Sequence, residues 1–157
     1  MARATGVGVV VLVVSCTIGA PGTFTLSNAS ADSGYSCPRG SHNASYDIHA
    51  SVDSHNGTSR SVAIKSVTAV MTLTAAHGDW LQQVGSKYNA GQVSFGPLNV
   101  GAGTDTKLTL IIPSACTNGL SVSTTASYAD YSIAFTVTTS VGTSKLDAKN
   151  RHRITAA

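Results

Sequence analysis

Not one of the 157 residues is a glutamate, and all seven acidic residues are aspartates. Glutamate favours helix interiors and aspartate favours turns, so this absence argues against long surface helices and for strands joined by turns. It also leaves any paired-carboxylate chemistry to aspartates alone. Charge is scarce throughout, with Asp, Glu, Lys and Arg at 11%, and the formal net charge of +3 is too small for a nucleic-acid footprint. Recognisable catalytic signatures are missing as well. There is no G-x-S-x-G, no H-E-x-x-H, no phosphate loop, no Ser/Lys dyad, and no His and Met following a Cys closely as a blue-copper site requires. No catalytic residue, metal site or cofactor is therefore expected.

A hydrophobic run long enough to cross a bilayer is lacking too. Arg3 is followed by V-G-V-V-V-L-V-V at 7–14, then by a polar stretch that ends N-A-S-A at 28–31. Even extended to Ala20 the apolar run reaches about 14 residues, short of the roughly 20 that a transmembrane helix needs. Gly19, Pro21 and Gly22 interrupt it. The layout predicts a secretory signal peptide over 1–31, cut after Ala31 to leave Asp32 as the mature N-terminus. A second mode of processing is open. Val13-Val14-Ser15-Cys16 resembles a bacterial lipobox, in which Cys16 would be acylated, would become the N-terminus, and would be followed by a polar tether over 17–35.

Cysteine is limited to three residues, and either mode of processing removes Cys16 from the thiol count. Cys37 and Cys116 then form an even pair in an oxidising compartment, which predicts one disulfide. Closing the long loop between them should stabilise the fold by about 4 kcal/mol in the chain-entropy model. Neither cysteine has a second Cys or a His at ligand spacing, so a metal site or a catalytic thiol is disfavoured.

What the sequence does have is period-two alternation. The clearest strand lies within 107–116, K-L-T-L-I-I-P-S-A-C, where Leu108, Leu110 and Ile112 share one face and Pro113 closes the run. Residues 45–53 alternate in the same way, with Tyr46, Ile48, Ala50 and Val52 inward. Asn56-Gly57 follows and reads as the type I′ turn of a hairpin. The run 61–75 shifts phase by one at Lys65-Ser66, which predicts a bulge or a break. Residues 77–85 read as a loop, 92–95 as a short strand, 99–104 as a turn, and 120–124 as a short edge strand. Tyr131, Ile133, Phe135 and Val137 alternate again, 139–142 turns the chain, and 143–148 forms the last strand. The expected fold is all-β, an antiparallel β-sandwich of about seven strands. It should occupy 45–148, after an N-terminal segment at 32–44 and before a basic tail at 149–157. Leu108, Leu110, Ile112, Ile133, Phe135 and Val137 should be buried together.

The stretch Y-A-D-Y-S-I-A-F-T-V-T-T-S-V-G at 128–142, with V-G-A-G-T at 100–104, resembles the closing half of bacterial immunoglobulin-like and fibronectin-III-like accessory domains of exported proteins. The resemblance covers about a third of the chain and implies a sandwich with a non-catalytic scaffold role. The paired cysteines and core Trp of antibody-type domains are not reproduced, since Cys37 precedes the first clear strand and Trp80 lies in the predicted loop.

Four groups of residues are candidate sites. Asp47, His49 and Asp53 share one strand face, with His42 and His55 beside it. Neighbours two apart on a strand point in parallel, so they cannot converge on an ion without ligands from a second strand. Trp80, Gln82, Gln83 and Tyr88 in the loop 76–90 would suit a sugar platform, with a ring against an apolar sugar face and amides on hydroxyls. The competing reading makes Trp80 a plug at the end of the core. The basic residues of 149–153 would dock on an anionic wall polymer or membrane surface, or remain solvated. Asn43-Ala-Ser and Asn56-Gly-Thr match the N-glycosylation sequon. The expected function is an exported scaffold, adhesion or surface-interaction domain, secreted or on the cell surface. Alternatives are a small glycan-binding module, a lipid-anchored lipoprotein of the same fold, and an enzyme of unrecognised type. The partners left open are a cell-wall polymer and another exported protein, with a membrane only if Cys16 carries lipid.

Overall fold

The computed structural model describes residues 22–118 and 127–156. Strand follows strand through both stretches: β1 (Phe24–Ala31), β2 (Gly34–Cys37), β3 (Ala44–Asn56), β4 (Val62–His77), β5 (Lys87–Gln92) and β6 (Ser94–Gly96), then β7 (Asn99–Val100), β8 (Asp105–Cys116), β9 (Tyr128–Thr139), β10 (Gly142–Asp147) and β11 (His152–Ala156). One sheet has the order β1-β3-β8-β6, the other β2-β11-β9-β4-β5, with β10 also on β9 and β7 on β4. With β1, β3, β4, β6, β8, β9 and β10 lettered A to G, these contain the A-B-E-D and C-F-G sheets of an immunoglobulin-like sandwich.

Alternation decides which side of each strand is dry. Along β8, Leu108, Leu110 and Ile112 are buried while Lys107, Thr109 and Ile111 face out, and β3 repeats this opposite with Ile48, Ala50 and Val52. The second sheet answers with Val67, Ala69, Met71 and Leu73 of β4 and Ile133, Phe135 and Val137 of β9. The six residues expected to be buried together all lie in this core. The phase slip in β4 is a bulge at Lys65: Ile64 pairs with Thr139 and Ser66 with Thr138, so one residue loops out and the inward face continues from Val67. Cys37 and Cys116 are bonded, with Cα atoms 6.1 Å apart, and tie β2 to the end of β8 across the two sheets.

Several expectations are corrected. The sandwich extends from β1 to β11, not over 45–148, and contains eleven strand segments. Residues 24–31, read as the end of a leader, form an edge strand on β3 that places Ala29 in the core and packs Phe24 and Leu26 against it. The chain then changes sheets at Asp32 and Ser33, so the segment 32–44 holds β2, which runs parallel to β11. The basic tail is itself structural. Residues 149–151 bulge away from β9 and clamp the edge of β1, where Lys149 N donates to Ala29 O (2.9 Å) and the Asn150 amide bonds both the N–H and the C=O of Ala31. Finally, Asn56-Gly57 is not a hairpin turn, because β3 and β4 belong to different sheets and neither residue has positive φ. Similarly, the strand read at 92–95 is two, with Val93 buried at the crossing from β5 to β6. The apolar run 7–14, Cys16 and the edge strand at 120–124 lie outside the described residues. No helix among the described residues is long and apolar enough to cross a membrane.

Candidate functional site

The loop proposed as a sugar platform is shorter than its sequence suggests. β4 continues to His77 and β5 begins at Lys87, so the loop spans 78–86. Trp80 lies at its base, half-buried and packed on the core. Tyr131 donates to Gln82 Oε1 at 2.8 Å, and burial raises its phenol pKa. Gln82 is thus tied to β9, and Trp80 packs on the core as a plug. Gln83 is exposed in the loop, held through its backbone carbonyl to Ser86 N. Tyr88 stands apart on β5, opposite Met71, and its hydroxyl reaches Pro113 O of the other sheet at 3.5 Å. The structure therefore does not gather Trp80, Gln82, Gln83 and Tyr88 on one open face.

Residues from the supposed tail form two clusters that no local pattern marks. His152 points inward from β11 and is 1% exposed. Its Nδ1 lies 2.8 Å from the Asp32 carbonyl, which can only accept, so Nδ1 carries the proton. Nε2 is then an acceptor for the Tyr46 hydroxyl at 3.2 Å. Tyr46 stacks on Tyr35 with centroids 3.9 Å apart, and burial pushes its phenol pKa up to about 12. This polar junction joins the β1–β2 crossing to β3 and β11.

Burial holds the His152 imidazole pKa below its ordinary value. The neutral ring is thus the form that the fold accepts. Its contribution is complete above the unfolded value of about 6.5 and is lost as pH falls towards the lower folded value. The difference in unfolding free energy between wild type and His152→Gln should therefore shrink from pH 7.5 to pH 5, by at most about 1.4 kcal/mol per pH unit. Paired urea titrations measure it, and a difference that is flat or grows on acidification would mean that His152 is not buried neutral.

The second cluster lies on the outer face of the β2-β11-β9-β4-β5 sheet. Arg153 Nε and Nη2 grip the two Asp130 carboxylate oxygens at 2.6 and 2.8 Å. The Arg153 guanidinium lies 4.1 Å from the Tyr128 centroid, and His77 stacks on the same tyrosine. The Arg153 hydrogen bond holds Asp130 below the usual carboxylate range. Every planar group here has a neighbour on its face, so the stack fastens β4, β9 and β11 together. Beside it, Ser33, Gly34, Tyr35, Ser36, Arg153 and Thr155 line a wide, open depression of about 340 Å³ along the edge of β2. That is too shallow to enclose a small ligand.

The histidines and aspartates of β3 pair separately. His49 Nδ1 lies 3.2 Å from Asp32, and His55 Nδ1 lies 2.7 Å from Asp105. Asp53 accepts from Lys107 (2.9 Å) and Asn28 (3.0 Å), and both hydrogen bonds lower its carboxyl pKa. His42 and Asp47 are exposed. No group of three metal-ligating side chains occurs among the described residues.

The two sequons differ in access. Asn43 is exposed before β3, but Asn56 has no exposure at all. Asn56 Nδ2 donates to the carbonyls of Arg60, Val100 and Gly101 at 2.8 to 3.0 Å, and Oδ1 accepts from Thr58 N and Oγ1. A sugar on Nδ2 has no room in this fold.

No protein-family model and no curated protein matches the chain. Among solved structures, the ASH / PapD-like domain of human CEP192 (PapD-like domain 7) matches over 97% of this chain and 96% of that one, at 8% identity and a TM-score of 0.29. A likeness of that size assigns no activity or partner to this chain.

Proposed function

We propose that the chain is an exported, non-catalytic β-sandwich module, held at the cell surface by a lipid on Cys16 and acting as a scaffold or adhesion element. The observation that carries this reading is β1. A leader cut after Ala31 would discard a strand that pairs with β3, fills part of the core and is clamped by Lys149 and Asn150. A cut before Cys16, at the lipobox-like V-V-S-C, keeps all of it. The Cys37–Cys116 bridge fits an oxidising compartment. The non-catalytic part is supported by Tyr46, Tyr131, Asp130 and His152, whose shifted pKa values all come from burial or from contacts that hold strands together. A cell-wall polymer or another exported protein is the partner this role implies.

Expression of the full chain in a lipoprotein-processing bacterial host tests the anchor. With an alkynyl fatty acid supplied, wild type should be labelled and should fractionate with membranes, while Cys16→Ser should be unlabelled and leave the membrane fraction. Wild type that is unlabelled and soluble would remove the anchor.

A further inference from the structure

The place where the chain enters the sandwich determines which end lies next to its N-terminal segment. A Cβ on Gly22 would meet the Gly57 carbonyl oxygen at 1.6 Å, so only glycine fits there, and Gly57 N donates to Thr23 O at 2.9 Å. The turn after Gly57 leads into β4, and the first residues of β4 gather the rest of that end. Ile64 N donates to Leu98 O and Ser140 N to Ala63 O, each at 2.8 Å. Leu98 and Val141 are therefore close to the point of entry, and they are 61% and 59% exposed. Arg60 is exposed in the same turn and forms no ion pair among the described residues. The disulfide, the loop 78–86 and Asn43 lie at the opposite end, where β3 and β8 have their other termini.

We propose that the end bearing Leu98, Val141 and Arg60 lies on the lipid surface and that the disulfide end points away from it. This rests on the lipid at Cys16. Only residues 17–21 separate Cys16 from Gly22, and a fully extended link of that length spans roughly 20 Å. The entry end is thus confined to the bilayer interface, whereas the other end is a strand length further out. The chemistry of the end suits that place. Two aliphatic side chains enter the headgroup boundary and a guanidinium meets anionic phosphates. A soluble protein partner would have to fit into the gap that so short a tether leaves.

The test uses the full chain, purified in its processed form and reconstituted in phosphatidylethanolamine–phosphatidylglycerol vesicles that contain doxyl-labelled phosphatidylcholine. An environment-sensitive fluorophore is attached at Val141→Cys or, separately, at Gln83→Cys, both exposed loop positions, with the Cys37–Cys116 bridge verified in each. Intact mass first establishes the adduct on Cys16. The label at 141 should then be quenched several-fold more than the label at 83. Equal quenching, or stronger quenching at 83, with the adduct present would overturn the orientation and leave the anchor standing. A chain without the adduct would remove the anchor and this orientation with it.

Discussion

A chain that begins at Asp32 is expected to have no cooperative unfolding transition, or one weakened by about 5 kcal/mol against a chain that begins at Thr17. Removing β1 takes away the hydrogen bonds along β3, buried Ala29, and the half-buried Phe24 and Leu26. A fully buried aliphatic or aromatic side chain contributes roughly 1.5–3 kcal/mol, and the half-buried ones less. The loss also propagates. Lys149 and Asn150 lose their backbone partners, Thr23 no longer accepts from Gly57, and the edge of β3 is left open to pair with other chains. Against a typical stability of roughly 5–15 kcal/mol, such a loss is severe. Urea unfolding followed by Trp80 fluorescence compares the two chains. Equal midpoints would mean that β1 is dispensable.

Asn56→Ala should cost about 3–5 kcal/mol, more than most single substitutions of a polar residue. One amide satisfies three carbonyls and accepts from both the N–H and the hydroxyl of Thr58. Alanine leaves the Arg60, Val100 and Gly101 carbonyls to the hydroxyls of Thr58, Ser61 and Thr104, strips the Thr58 N–H of its acceptor and empties a fully buried site, at roughly 1–3 kcal/mol for each lost bond that water cannot replace. Asn56→Asp separates shape from chemistry. It retains the acceptor but turns a carboxylate towards three carbonyl oxygens, so it should be at least as damaging. Thr58→Ala removes only the more exposed side of the bracket and should cost about 1 kcal/mol. Chemical denaturation orders the three variants, and a neutral Asn56→Ala would contradict the bracket.

These two predictions fall where the sequence is least legible. β3, β8 and β9 can be read directly, because each keeps one apolar face at period two, and the Lys65 bulge is visible as a slip of that period. The disulfide follows from counting thiols. β1 is hidden because small residues at Ala29 and Ala31 suit both a peptidase and a close-packed edge: the same N-A-S-A that resembles a cleavage site supplies a core alanine. β11 is hidden because its inward residues are His152 and Ile154, and a buried histidine looks polar until Tyr46 and the Asp32 carbonyl meet it. Asn56-Gly57 suggests a local turn, yet besides Thr58 and Arg60 the Asn56 amide bonds the carbonyls of Val100 and Gly101, out of reach of any short window. Trp80 is a single residue without periodicity, and only its packing against the core decides that it is a plug.

Intact mass of the protein recovered from the envelope of an expressing cell measures most directly whether β1 belongs to the mature module. The predicted result is a chain that begins at Cys16 and carries a lipid adduct, with the two remaining cysteines oxidised. A mature chain beginning at Asp32, folded and without lipid, would contradict it.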